Sequence, residues 1–165
     1  MPLKCTIAVA SGKGGTGKTT VSANLACAAA AAGHEAAYLD CDVEEPNGHL
    51  FLKPSLHLSK PVHVPVPSVD LNKCTACGVC GELCQYSAIV CLNKIVMTFE
   101  KMCHGCGGCT LVCPAGAISE TGREIGILEA GSAGNTAFIH GRLNVGEAMS
   151  PPLIKAVRSA GEKNY

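Results

Sequence analysis

Residues 11–20 read SGKGGTGKTT. Gly12 to Thr19 fit the pattern G-x-x-x-x-G-K-[ST] in full, and the flanks decide what that pattern means. Before it, Thr6-Ile7-Ala8-Val9-Ala10 is a short apolar run of the kind that forms a buried parallel strand. After it, residues 19–32 are alanine-rich, with Val21, Leu25, Ala28 and Ala32 on one face, and Gly33 stands where a helix should stop. A second apolar run, Ala36 to Leu39, ends in Asp40. The order strand, loop, helix, strand predicts a βαβ unit with a right-handed crossover.

Glycines let such a loop curl until its N–H groups converge on phosphate oxygens, and the helix behind adds a partial positive charge. Lys18 is placed to reach the β- and γ-phosphates, and the Thr19 hydroxyl to ligate Mg²⁺. Lys13 is an addition, since packing poorly explains a charged residue on the crest of the loop. Asp40-Cys41-Asp42 follows the second strand, and acids at that end of a strand can hold a metal-bound or attacking water.

The middle of the sequence has a different chemistry. Residues 74–84 read CTACGVCGELC and residues 103–113 read CHGCGGCTLVC, each C-x2-C-x2-C-x3-C. The second run repeats the first at an offset of 29 residues, and Ala88-Ile89 recurs as Ala117-Ile118. Three cysteines at steps of three wrap a short loop round one face of an iron–sulfur cube, and the fourth points away to the other cluster. One set is therefore Cys74, Cys77, Cys80 and Cys113; the other is Cys103, Cys106, Cys109 and Cys84. A zinc site would need two CxxC pairs, and the unbroken runs of four favour iron–sulfur. Cys113 is followed by Pro114 but Cys84 by Gln85, which leaves the turn at Cys84 less certain. Cys5, Cys27, Cys41 and Cys91 lack ligand spacing and read as buried small hydrophobes. Cys41, between two acids, is not expected to form a thiolate easily. His104 reads as a loop residue that tunes solvation.

The stretch KGGTGKT resembles the deviant Walker motif of the MinD/ParA class, which includes the nitrogenase iron protein. The cysteine repeat resembles a bacterial ferredoxin with two 4Fe-4S clusters. Together they look like a MinD-superfamily P-loop ATPase with an inserted ferredoxin domain. The resemblance implies an α/β fold: residues 1–60 and 123–165 supply a P-loop NTPase with a parallel sheet, and residues 61–122 an α+β ferredoxin insert. It implies ATP, Mg²⁺ and two 4Fe-4S clusters as cofactors. Gly12, Lys13, Gly14, Gly15, Thr16, Gly17, Lys18, Thr19, Thr20 and Asp40 then bind nucleotide. Lys13 acts across a dimer interface on the partner's nucleotide, and Asp42 positions the attacking water. The ATP-bound state is a homodimer, or a heterodimer with a paralogue.

The remaining sequence sets bounds. The 165 residues carry a formal net charge of zero, and no basic stripe for nucleic acid is visible. No apolar segment approaches a membrane span, and no secretory signal is apparent, so a cytoplasmic location is expected. Lys53 to Pro67, with four prolines, reads as an extended linker. Ile125 to Leu128 and Thr136 to Ile139 read as strands, and Pro152 to Ala160 as a helix covering a sheet rather than lying on a membrane. The only aspartates are Asp40, Asp42 and Asp70, so no later strand carries the switch II aspartate of the resembled class. The NTPase sheet is expected to be incomplete and the protein truncated at its C-terminal end, with hydrolysis by this chain in doubt.

The favoured function is a nucleotide-gated electron carrier with an unidentified redox partner protein. The alternatives are an iron–sulfur assembly or carrier ATPase, a positioning ATPase with a structural ferredoxin module, and an amidating ligase of the cobyrinic acid synthase type. The last leaves eight cysteines without a role.

Overall fold

A computed structural model describes residues 5–164. The fold is mixed α/β, and the protein divides into two compact units. The first holds residues up to 60 with 127–143 and the segment from 153; the second holds 61–126 and 144–152.

In the first unit, helix α1 (Lys18–Ala31) runs into strand β1 (Ala36–Asp40). Its end is a Schellman arrangement: His34 N–H donates to Ala29 O and Gly33 N–H to Ala30 O, both at 3.0 Å. That closure needs a left-handed residue at position 33, and Gly33 supplies it with φ +82°. Helix α2 (Gly48–Leu52) follows β1. Strand β6 (Thr136–Leu143) pairs with β1 in parallel, Ala36 opposite Thr136 and Asp40 opposite His140. Helix α5 (Ser150–Asn164) opens with Pro151 and Pro152, whose missing N–H groups would be unpaired there anyway. It buries Leu153 and Val157 completely. A Cβ on Gly141 would meet Leu153 at 2.8 Å and one on Gly161 would meet Leu39 at 2.4 Å, so two glycines let α5 lie close on β6 and β1. The expected covering helix is therefore present, extended at both ends.

Several expectations fail in this unit. Residues 6–10 form no strand, and Ile7 is 62 % exposed. None of the described strands pairs with them: the four-stranded sheet has the order β1-β6-β5-β2, with β5 at Ile118–Ala133 and β2 at Ser55–Val69. An apolar pattern specifies a face to bury but not the neighbour that takes its backbone hydrogen bonds. The βαβ unit is thus absent, and the parallel partner of β1 comes from much later in the sequence. Helix α1 also faces the other way. Val21 and Leu25 are exposed, while Ala23 is buried against Tyr38 and Phe138, with Ala26 packed beside it. Tyr38 and Phe138 stack with ring centroids 5.7 Å apart, and small side chains let the helix approach so bulky a pair. Cys5 and Cys27 are exposed and Cys41 half-buried, not core residues as expected; Cys27 lies on the outward side of α1.

Strand β2 (Ser55–Val69) replaces the expected linker. It is an edge strand. Just past its end, Asp70 N–H donates to Ala117 O at 2.8 Å. An edge strand has one side without ladder bonds, which is where a sheet tolerates prolines such as Pro61, Pro65 and Pro67. Its neighbour β5 (Ile118–Ala133) is one 16-residue strand rather than the short run expected at 125–128. Two residues, Gly134 and Asn135, turn it into β6, a connection only antiparallel strands allow.

The second unit is built on the cysteine duplication. Helix α3 (Val79–Leu83) and helix α4 (Gly108–Val112) stand 29 residues apart, each entered through a left-handed glycine, Gly78 at φ +87° and Gly107 at φ +72°. Strands β3 (Ile89–Leu92) and β4 (Ile95–Thr98) form an antiparallel hairpin. Cys80, Ile89 and Ile118 form the core, with Val69, Val96, Cys84, Cys109 and Cys113 packed on it. Cys91 is half-buried and its Sγ donates to Ala76 O at 3.5 Å, so it too departs from the expected core role.

Candidate functional site

Two groups of sequence-predicted residues are held in two different ways. In the first unit, residues 12–16 of the loop are exposed and Gly17, Lys18 and Thr19 half-buried, with Thr20 exposed. Gly15 and Gly17 take positive φ, +71° and +88°, which directs the backbone into the first turn of α1. The Ser11 hydroxyl donates to Lys13 O at 2.8 Å, and the Thr16 hydroxyl to Ser11 Oγ at 2.7 Å. These bonds brace the crest and leave the Lys13 side chain in solvent. No acidic residue occupies the first turn of α1 to compete for its N–H groups.

The segment after β1 is tied to this helix. The Thr19 hydroxyl donates to Asn47 Oδ1 at 2.7 Å, keeping oxygen lone pairs for a cation. Asp40 is 6 % exposed, and both its oxygens are engaged: Oδ1 accepts from Asp42 N–H at 3.1 Å and Oδ2 from Gly48 N–H at 2.8 Å. Gly48 is required here, since a Cβ would stand 2.5 Å from the Tyr38 ring and 2.8 Å from Asp40. Asp40 therefore shapes the turn, while Asp42, Glu44 and Glu45 are exposed. Burial raises the Tyr38 hydroxyl's pKa, with Asp40 pushing the same way, although its contact with Ser22 Oγ at 3.2 Å opposes the shift. Burial likewise raises Cys41, with Asp40 adding to it, so Cys41 stays a thiol. Sequence reasoning identifies the Asp40 charge but misses the larger desolvation.

Sequence reasoning also misses a buried histidine pair. His140 Nε2 lies 3.0 Å from Glu129 Oε2, and its ring meets His49 edge-on at 5.6 Å. The Nδ1 atoms of both histidines are buried without a hydrogen-bond partner. The parallel register Asp40–His140 is the one signal that could place His140 near the nucleotide loop, and it is not readable from sequence.

In the second unit the turns after Cys84 and Cys113 carry the same hydrogen bonds. Ala88 N–H donates to Cys84 Sγ and Ala117 N–H to Cys113 Sγ, both at 3.3 Å. Ser87 N–H closes on Cys84 O at 3.2 Å and Gly116 N–H on Cys113 O at 3.1 Å. The turn after Cys84 thus matches the turn after Cys113 without a proline. Burial acts to raise Cys84, but backbone N–H groups from Tyr86 to Ile89 outweigh it and lower its pKa, as a metal-binding thiolate needs. Burial raises Cys80, and its neighbours Cys74 and Cys77 push the same way; burial raises Cys109, with Cys103 adding to it.

Cys74, Cys77, Cys80 and Cys113 line one pocket, partly open to solvent. Val69, Val96 and Ile118 complete an apolar wall. Cys113 is distant in sequence, so its presence is a product of folding. Among the described residues no three His, Cys, Asp or Glu side chains converge as they would on one metal ion. A four-iron cube asks for something else, because each thiolate binds a different iron and the sulfurs stand farther apart. An apolar cavity bordered by four thiols fits such a group. Of the other set, Cys103 is buried, Cys109 and Cys84 are half-buried and Cys106 is exposed. A buried ion pair sits elsewhere in this unit, Arg123 with Glu147, and the contact with Arg123 lowers the Glu147 pKa.

Among the described residues no helix is long and apolar enough to cross a membrane. A family model described as the CobQ/CobB/MinD/ParA nucleotide binding domain matches residues 7–144. The chain is 35% identical over 160 residues to an uncharacterized protein of Methanocaldococcus jannaschii, covering 95% of this chain and 55% of that one. It is 59% identical over 46 residues to an uncharacterized ATP-binding protein of the same organism, covering 28% of this chain and 17% of the relative. It is 53% identical over 45 residues to the iron-sulfur cluster carrier protein of Aquifex aeolicus, 27% of this chain and 12% of that one. The chain spans about half the length of the curated relatives that it matches along most of its own length.

Proposed function

The chain belongs to the CobQ/CobB/MinD/ParA nucleotide-binding family, and from that premise we propose that it is a nucleotide-gated electron carrier with two 4Fe-4S clusters. ATP and Mg²⁺ occupy the loop at residues 12–20. Lys18 neutralises the β- and γ-phosphates, and Thr19, steadied by Asn47, offers its hydroxyl oxygen to Mg²⁺. Lys13 stands free on the crest for the nucleotide of a second subunit, a copy of this chain or a paralogue. Asp42 orients a water while Asp40 holds the turn beneath it.

Residues 61–122 are the ferredoxin-like insert. Cys74, Cys77, Cys80 and Cys113 hold one cluster, and Cys103, Cys106, Cys109 and Cys84 the other. The observation that carries this reading is the cavity that gathers Cys113 with the three cysteines of the other repeat. Clusters held this way supply one-electron storage at potentials set by solvent and N–H···S bonds. The expected redox partner is a protein, and a cytoplasmic location suits reduced thiols.

The 45-residue likeness to an iron-sulfur cluster carrier protein supports a second reading, delivery of clusters to acceptors. The two differ in outcome. An anaerobic redox titration followed by electron paramagnetic resonance, with and without Mg-ATP, should shift the potential or signal of a cluster, and Lys18→Ala should abolish the shift. Two ordinary clusters with no response to nucleotide would refute gating. Rapid transfer of iron and sulfide to an apo-acceptor would favour the carrier.

A further inference from the structure

The duplication invites a position-by-position comparison of the two cysteine sets, and one difference between them is a ring stack found in the second set. Tyr86 and His104 stack face to face, with ring centroids 3.6 Å apart and planes 6° from parallel. Tyr86 follows Cys84 by two residues, and His104 follows Cys103 directly. The stack therefore joins the two segments that supply the second set, the loop 103–109 and the turn carrying the distant ligand Cys84. At the matching positions of the first set stand Ala115 and Thr75. These border the cavity of that set and offer no ring to stack. Both halves share the left-handed glycine entries, the short helices and the N–H···S bonds at 3.3 Å to the distant ligands, while the second set has one further N–H···S bond, from Gly105 to Cys103 at 3.4 Å.

We infer that the Tyr86–His104 stack is a clamp that makes the two sets unequal, fastening Cys84 to the 103–109 loop so that the second set sheds its cluster more slowly than the first. The inference rests on the reading that both sets carry clusters. Losing a cluster requires the crossover ligand to swing away from the other three. In the first set Cys113 can do so without parting an aromatic pair, since Thr75 and Ala115 stand at the matching positions. In the second set the same motion must also separate two stacked rings. The first set is then the exchangeable one and the second the durable one.

The full-length protein would be loaded anaerobically, and its iron counted. About eight iron atoms per molecule, as two four-iron clusters require, establishes the reading on its own. Iron release to a ferrous chelator under reducing conditions is then followed by absorbance and paramagnetic resonance. Two phases are expected, separated by roughly two- to tenfold, the span of one aromatic pair. Tyr86→Ala should speed the slow phase until the two merge. Thr75→His combined with Ala115→Tyr, which builds the stack at the first set, should slow the fast phase and keeps the test alive if Tyr86→Ala loads poorly. A protein that takes up no iron refutes the cluster reading and the clamp with it. Full loading with a single phase, or two phases that neither variant alters, overturns the clamp alone.

Discussion

At the scale of the residue, His140 shows how a buried group ties stability to pH. It is 3 % exposed. Burial pushes its pKa below the ordinary 6.5, the hydrogen bond and charge of Glu129 push it up, and burial prevails. The groups facing it are Glu129, His49 and Asp40. A neutral ring donating Nε2–H to Glu129 leaves Nδ1 bare; protonation would put a second N–H where no partner waits. The unfolded chain therefore binds the proton more tightly than the native one. Stability contributed by the neutral ring is complete above the ordinary value of 6.5 and is lost as pH falls from there towards the lower native value. Urea unfolding between pH 7.5 and 5 should show this decline, with a slope of at most about 1.4 kcal/mol per pH unit from one proton. His140→Gln, which can still reach Glu129, should flatten it. An unchanged slope in that variant would assign the effect to another group. Little of this is legible in the sequence: Lys18, Thr19 and the cysteines announce themselves by spacing, whereas His140 meets Glu129 only when β5 turns back beside β6, and Asp40 only through the parallel pairing of β1 with β6.

At the scale of the element, the sequence is most readable where local chemistry fixes the backbone. Helix α1 stops at Gly33, and the two cysteine helices begin after Gly78 and Gly107, all at positive φ. It is least readable where a partner decides. Residues 6–10 have the composition of a strand and no pairing strand among the described residues, while the proline-rich run at 55–69 is a strand at the edge of the sheet, where prolines are tolerated. Glycines required by packing are equally silent. Gly131 on β5 has an ordinary φ, yet a Cβ there would stand 2.0 Å from Ser55 O and 2.8 Å from Leu56 Cα of β2. Backbone atoms in a sheet cannot rotate aside, so Gly131→Ala should part the two strands locally and cost about 3 kcal/mol or more. Gly134→Ala is the contrast. Its φ is +58° with nothing within 4 Å of the added Cβ, so only backbone strain of about 1 kcal/mol is due. Denaturant midpoints of the two variants measure the difference, and equal losses would show that β2 gives way at no cost.

For the whole molecule, the division into two units has a thermodynamic consequence that the cysteines make testable. The first unit has a conventional interior, with Phe138, Leu153 and Val157 fully buried. The second also buries Val66, Ile89 and Ile125, but thiols form much of the packing around its Cys80–Ile89–Ile118 cluster. A unit of that size gains a large part of its stability from whatever its thiols bind, because the binding free energy of the folded form is also folding free energy. Removing iron from the loaded protein should then act on one unit and spare the other. Amide exchange should rise across residues 74–118, most clearly at Ala88 and Ala117, whose N–H groups donate to Cys84 and Cys113. Amides of α1 and β6, which answer to the Phe138 core, should exchange at unchanged rates. Mg-ATP should produce the opposite map, protecting residues 14–20 and the turn at 40–48 that Asp40 and Asn47 tie to α1. If iron removal instead loosens α1 as much as α3, the two units unfold as one. Nucleotide and clusters would then be coupled through global stability, and a gate would need no separate conformational device.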